Sequence, residues 1–370
     1  MNIKKSSILI LVLCILLCSC QQKEKGKIVI DVPAGNSMAN SYINSAGIAF
    51  EKKDYNSALT DYLEVEKIFL NSESHTNNNE LAGIYSMIGR CYVQLSAYHK
   101  AKDYFEKSLP ISEKLLDDKL NFENYFNLLK INYSIDDGNL ELALEYGKKA
   151  EKTALDLYGD KSSEMGEVYS NIGKVYCNMG EFDQANKYLQ KAIIIMDQLY
   201  GQDNENSAVI YEKMADIYRK QGEYYEAEGY LNKAEEILKK YKNYYWLAVV
   251  YSDFGNIYWE NEKYENALDY YNKCLEVYEI WGKVDFDLAK YHYWKAGALY
   301  NIKSYESSKQ EMLLAHKICE DLPVKSELTS TLVLSIKDGL KIYYDYNYDG
   351  DKSTGFEMWY EDLISSQMVQ

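Results

Sequence analysis

Apolar and small residues recur at helical spacing through most of the chain. Gly173, Tyr176, Gly180, Phe182, Ala185, Leu189 and Ala192 fall on two helical segments separated by a turn near Gly180, a residue suited to ending a helix. The pattern predicts a helical hairpin. Gly173 and Ala185 lie where the paired helices cross, because short side chains permit close approach. Tyr176, Phe182 and Leu189 fill the grooves around them. A large residue at the crossing would split the pair.

The same pattern returns along the chain. An aromatic or leucine stands three residues before a small residue at Tyr55/Ala58, Tyr98/Ala101, Leu140/Ala143, Phe182/Ala185, Tyr224/Ala227, Tyr264/Ala267 and Tyr305/Ser308. Successive small residues are 43, 42, 42, 42, 40 and 41 apart, a near-constant period that marks internal repeats. Nine residues before each aromatic sits Ala46, Gly89, Ile131, Gly173, Ala215, Gly255 or Ala296, so the copies share one frame. A lone hairpin buries only one face. The copies must therefore stack, and the expected fold is all-α, a right-handed superhelical solenoid of antiparallel helical hairpins with a concave inner surface. After the seventh copy, Ser326 can cap a helix carrying Leu332, Ile336, Gly339 and Ile342, with Gly339 in phase with the array. A second helix over residues 356–367 would cover the last apolar face with Trp359 and Leu363, as a terminal repeat must.

Composition agrees with a folded helical chain: 370 residues contain three prolines, 47% hydrophobic and 26% charged residues. The net charge of −16 and only two arginines, Arg90 and Arg219, exclude a phosphate-backbone binder, which needs a basic stripe. The 38 tyrosines read first as packing residues. Cys91, Cys177, Cys274 and Cys319 fall in different copies, too far apart for disulfide geometry, and read as buried free thiols. No HExxH or GxSxG pattern is present, and the expectation is that the chain is not an enzyme.

Gly89-Tyr92-Tyr98-Ala101, Ala215-Tyr218-Tyr224-Ala227-Ala234 and Gly255-Tyr258-Tyr264-Ala267 resemble the tetratricopeptide repeat, over about residues 41–325. The usual period is about 34 residues, and the proline that normally ends the second helix is replaced, by Asp197 in the fourth copy. Helices longer than usual follow. Together with the Leu157-Tyr158-Gly159-Asp160 and Leu199-Tyr200-Gly201-Gln202-Asp203 links, the long period is similar to the repeats of kinesin light chains.

The resemblance implies a groove lined by positions five, nine, twelve and thirteen of each copy. These are Ser86 and Arg90; Lys174 and Asn178; Asp216, Arg219 and Lys220; Asn256 and Trp259; and Tyr293 and Tyr300. Amides can bond a ligand backbone, cations can hold an acidic side chain, and aromatics can anchor apolar ones. Serines at Ser86, Ser170 and Ser252 stand where the family's carboxylate clamp has lysine, which argues against chaperone tails as ligands.

Two further motifs bear on function. Lys4 and Lys5 precede a short apolar run from Ile8 to Leu17, and Leu17-Cys18-Ser19-Cys20 resembles a bacterial lipobox with Cys20 as the lipid acceptor. The expected organisation is a signal peptide over residues 1–19, a flexible tether over 20–40 starting at lipidated Cys20, seven repeats over 41–325 and a capping helical pair over 326–370. Gln21 points to the outer membrane. Asp345, Asn347, Asp349, Gly350 and Asp351 match the start of an EF-hand calcium loop, although its twelfth position is Phe356 and Glu357 comes one residue late. Calcium is the one cofactor considered, at Asp345, Asn347, Asp349, Asp351 and Glu357. The expected function is a lipid-anchored scaffold for a protein or peptide partner, without nucleic acid. The alternatives are a glycan-binding lipoprotein of nutrient uptake and a calcium-stabilised spacer.

Overall fold

The computed structural model describes residues 37–71, 79–135, 138–347 and 352–367. The signal peptide, Cys20, Asp349 and Asp351 lie outside the described residues. Within them the chain forms sixteen helices paired as eight antiparallel hairpins. The first four pairs are α1 (Ser37–Glu51) with α2 (Tyr55–Leu70), α3 (Asn79–Gln94) with α4 (Tyr98–Leu115), α5 (Asp118–Ser134) with α6 (Leu140–Tyr158), and α7 (Ser163–Asn178) with α8 (Phe182–Tyr200). The remaining four are α9 (Glu205–Gln221) with α10 (Tyr224–Tyr241), α11 (Tyr244–Glu260) with α12 (Tyr264–Trp281), α13 (Phe286–Asn301) with α14 (Tyr305–Asp321), and α15 (Glu327–Asn347) with α16 (Lys352–Gln367). Two boundaries differ from the sequence reading. Helix α1 begins at Ser37, inside the expected tether, because Ala39 extends the buried stripe that contains Ala46. Helix α16 begins at Lys352, four residues ahead of the expected start.

The crossing points are where the periodic small residues placed them. Ala58, Ala101, Ala143, Ala185, Ala227 and Ala267 have no exposed surface, and Ser308 donates its hydroxyl to the Ala296 carbonyl at 2.7 Å. A Cβ added at Gly89, Gly173 or Gly255 would come within 2.9 Å of Phe105, 2.8 Å of Leu189 or 2.4 Å of Tyr271. Those three partners stand sixteen residues further on. In the third copy the sizes are exchanged: Ile131 replaces the small residue, and Gly147 stands sixteen residues on. A Cβ at Gly147 would come within 2.9 Å of Ile172 and 3.4 Å of Leu129, so here the close approach is to the next hairpin and to a different residue of α5.

Each helix end has a local cause. Asp54, Asp117, Asn139, Ser162, Asn204, Asn243, Asp285 and Ser326 accept the backbone N–H three residues on, capping the helices that follow them. The tight turn inside six hairpins puts one residue in the left-handed region: Lys53, Ser96, Gly180, Gly222, Glu262 and Lys303. Glycine adopts that conformation without steric cost, whereas Lys53, Ser96, Glu262 and Lys303 hold it under strain.

The tyrosines do more than fill space. Four copies repeat the spacing Tyr85/Tyr92/Tyr104/Lys107, Tyr169/Tyr176/Tyr188/Lys191, Tyr211/Tyr218/Tyr230/Lys233 and Tyr251/Tyr258/Tyr270/Lys273. In each, the third ring packs on the second at 5.4 to 5.7 Å between centroids, and the lysine ammonium lies over the first and third rings. Hydroxyls then tie one hairpin to the next. Tyr104 donates to Glu66 at 2.9 Å, Tyr125 to Glu113 at 2.5 Å, Tyr251 to Glu235 at 3.1 Å and Tyr343 to Glu306 at 2.6 Å.

The superhelix curves far enough to bring the link after its seventh hairpin against its N-terminal half. Val324, in the link between α14 and α15, packs against the hydrophobic core of the first hairpins. Two glycine substitutions should have opposite signs. Gly255→Ala, whose Cβ would strike Tyr271, lowers stability by about 2 kcal/mol. Gly229→Ala, exposed on α10 with nothing within 4 Å, raises it by about 0.8 kcal/mol. Urea denaturation of both variants beside the parent chain checks the pair.

Candidate functional site

The groove positions lie on the first helix of each hairpin, and the structure divides them into three groups. Position five is closed in the second, fourth, fifth and sixth copies and open in the seventh, where it is Tyr293. Ser86 is completely buried with its hydroxyl unbonded, and Ser170, Glu212 and Ser252 at the same position are buried too. Ser86 is therefore not a groove contact, because its side chain faces the neighbouring helices. Arg90 is half-buried, with its guanidinium 5.0 Å from the centre of the Phe50 ring.

The second group bonds to itself across hairpins four, five and six. Asp216 on α9 accepts Lys174 of α7 at 2.5 Å and Arg219 at 2.5 Å, with Lys220 at 3.6 Å. Lys220 donates to Asn178 at 2.7 Å, and Arg219 also pairs with Glu260 of α11. Positions nine, twelve and thirteen of adjacent copies thus satisfy one another. Burial alone would raise the Asp216 carboxyl, but Lys174, Lys220 and Arg219 outweigh it and hold the group below the usual carboxylate range. These residues fasten neighbouring hairpins, leaving little free for a ligand.

The third group stays open. Asn256, Trp259, Tyr293 and Tyr300 converge on one cavity of about 370 Å³ between α11, α13 and α15. Trp294 and Asn301, which the sequence did not single out, and Ile342, expected only as an apolar residue of the capping helix, also border it. Asn301 is position thirteen of the seventh copy, so the same offset rule could have found it. Trp294 obeys no such rule and faces the cavity only because α12 and α13 pack it against Tyr271, 6.2 Å between rings. Asn256 accepts from the Tyr271 hydroxyl at 3.0 Å and keeps its amide N–H groups for a ligand. Asn301 donates to the Gly297 carbonyl at 3.0 Å and keeps its amide oxygen.

The acidic turn after α15 is only partly described. Asp345 is paired with Lys341 at 2.9 Å, and Glu357 with Lys337 at 2.8 Å. Asn347 is still helical and donates to the Tyr343 carbonyl at 2.8 Å. Two residues apart on a helix, Asp345 and Asn347 point about 200° from each other, so shared calcium coordination would require unwinding the last turn of α15. The four cysteines are buried free thiols, and burial pushes Cys91 up to about 12 and Cys177 and Cys319 to about 11. They stay protonated and unreactive at neutral pH. Among the described residues no helix is long and apolar enough to cross a membrane.

The Asp216 network gives a pH-dependent expectation. Its folded-state carboxyl titrates below the unfolded value near 3.9, so its contribution is present above that value and is lost as pH falls through the folded one. Asp216→Asn should lower the unfolding free energy by about 3 kcal/mol at pH 7. The difference should shrink below about pH 4, which urea denaturation at pH 7 and pH 3 would show.

No curated protein matches the chain. Among solved structures, the apo form of RapI aligns with a TM-score of 0.54 at 17% identity, covering 76% of this chain and 97% of that one. A tetratricopeptide repeat protein from Parabacteroides merdae aligns at 0.50 and 13% identity, covering 80% and 98%. Putative kinesin light chain repeats from Podosopora anserina align at 0.46 and 14% identity, covering 56% and 98%. The tetratricopeptide repeat family model matches residues 37–114, 164–240 and 206–280. That match spans more than half of the sequence, and the chain belongs to the tetratricopeptide repeat family.

Proposed function

We propose that the chain is a non-catalytic adaptor that binds an extended peptide segment along the first helices of its last three hairpins. A lipid on Cys20 holds it at the outer membrane. The observation that carries the reading is the convergence of Asn256, Trp259, Tyr293 and Tyr300 on one aromatic-walled cavity. Its size suits one large apolar side chain. Asn256 offers a donor and Asn301 an acceptor, the pair of groups that an extended peptide backbone can satisfy.

The aromatic rings also bear on a sugar ligand, because stacking needs an exposed flat face. Trp259 meets Tyr264 edge to face at 5.3 Å between centroids, and lies so close over Gly297 that a Cβ there would come within 3.0 Å of its ring. These neighbours restrict access to the ring, which favours the peptide over the glycan.

The peptide reading is tested by screening the soluble chain, residues 21–370, on peptide and glycan arrays. Peptides with a large apolar anchor should bind, and Trp259→Ala should weaken a selected peptide at least tenfold with unchanged circular dichroism. Glycan binding that depends on Trp259, without peptide binding, would transfer the site to the sugar reading. The anchor is tested separately: Cys20→Ala should abolish metabolic fatty-acid labelling and move the protein from the membrane to the soluble fraction.

A further inference from the structure

The superhelix encloses a second cavity, separate from the aromatic one. It measures about 1030 Å³ and is lined from the first hairpin to the link after α14. Tyr98, Phe126, Tyr245, Trp246 and Trp281 supply aromatic walls, and Leu322, Pro323 and Val324 close one side. Lys53, Lys283 and the acids Asp54, Glu167, Asp285 and Asp287 border this space, and so do two lysines of its first helices, Lys130 on α5 and Lys213 on α9.

Neither lysine is bonded to a carboxylate. Lys213 is only 8% exposed, and its ammonium donates to two neutral groups, Ser170 Oγ at 2.9 Å and Asn171 Oδ1 at 3.4 Å. Tyr133 donates to the same Asn171 oxygen at 2.7 Å, so that acceptor is already shared. Lys130 approaches only the Phe126 ring, at 5.5 Å. Of the acids that border the cavity, Asp285 pairs with Lys283 at 2.8 Å and Asp287 with Lys290 at 2.6 Å, while Glu167 favours the charged forms of Lys130 and Lys213 without bonding to either. A buried cation without a counter-ion is costly, and an incoming anion would remove that cost.

We infer that the interior of the superhelix binds a compact organic carboxylate with an apolar body, its carboxylate held by Lys213 and Lys130 and its body lying against the aromatic walls. A monoanion fits the charge better than a phosphate dianion. Glu167 and Glu123 act on Lys130, and Glu212 and Glu167 act on Lys213, so a second negative charge on the ligand would meet repulsion from these carboxyls. Burial lowers the Lys213 ammonium to about 8, more than Glu212 restores, while Lys174 and Lys130 lower it further. Burial likewise lowers Lys130. The volume is at the upper end for small-ligand sites, leaving room for a body larger than one ring.

Calorimetry on the soluble chain at pH 8.5, in Tris and in triethanolamine, tests this with 3-phenylpropionate, its neutral analogue 3-phenylpropanol, and inorganic phosphate. A lysine titrating near 8 is mostly neutral at pH 8.5, and a bound carboxylate raises its pKa. Binding of 3-phenylpropionate should therefore take up roughly 0.7 proton per site, and almost none at pH 6.5. Lys213→Met should weaken binding at least tenfold and remove the uptake, whereas Lys130→Met should weaken binding and keep it. Trp259→Ala should leave both unchanged, which separates this site from the peptide cavity. Unchanged secondary structure and melting of Lys213→Met, or of Tyr133→Phe as a second variant, excludes unfolding as the cause. The inference is overturned if 3-phenylpropionate gives no heat at millimolar concentration, if the alcohol or phosphate binds as tightly, or if Lys213→Met binds with the same uptake.

Discussion

Every level of this structure depends on how closely the two helices of a hairpin approach where they cross. At Gly89, Gly173 and Gly255 the partner side chain fills the space a Cβ would need, so the backbone itself forms part of the packing surface. Close approach aligns the two helices and fixes which residues remain on the outer faces. Those faces then determine how the next hairpin stacks. In the third copy Ile131 stands at the small position, and the close approach is made instead by Gly147 against Ile172 and Leu129.

Stacking uses polar chemistry in addition to apolar burial. Tyrosine hydroxyls reach carboxylates of the preceding hairpin, and Lys174, Asp216, Arg219 and Glu260 connect three successive first helices. Such bonds are directional, so they set the rotation between hairpins more narrowly than apolar contact alone would. The resulting curvature brings Val324 against the first hairpins and converts an open groove into an enclosed interior. Phenylalanine at the tyrosine positions would fill the same volume and lose that tie.

Binding capacity is left where this internal pairing stops. Between hairpins four and six the groove side chains are engaged with one another. Toward the C-terminal end, Asn256 and Asn301 retain unused hydrogen-bonding groups beside aromatic walls. Inside the superhelix, Lys130 and Lys213 carry positive charge without a bonded carboxylate in a chain whose overall charge is −16. Local environment, not net charge, sets which ligands these two places can accept.

Period, helix pairing, crossing residues and the Ser326 cap were readable from the sequence, because each follows from local spacing along one or two helices. Gly173 with Ala185, the turn at Gly180 and the cap at Ser326 needed no knowledge of distant residues. The offset rule also named Asn256, Trp259, Tyr293 and Tyr300 before their cavity was seen. Tertiary structure decided what the same rule could not: that Ser86 is buried, that Asp216 is consumed by Lys174 and Arg219, and that Trp294 joins the cavity. It alone brought residues 322–324 back to the first hairpins. The physical reason is that helix periodicity assigns a residue to a face, whereas the angle between successive hairpins decides what that face meets, and small angles accumulate over eight hairpins.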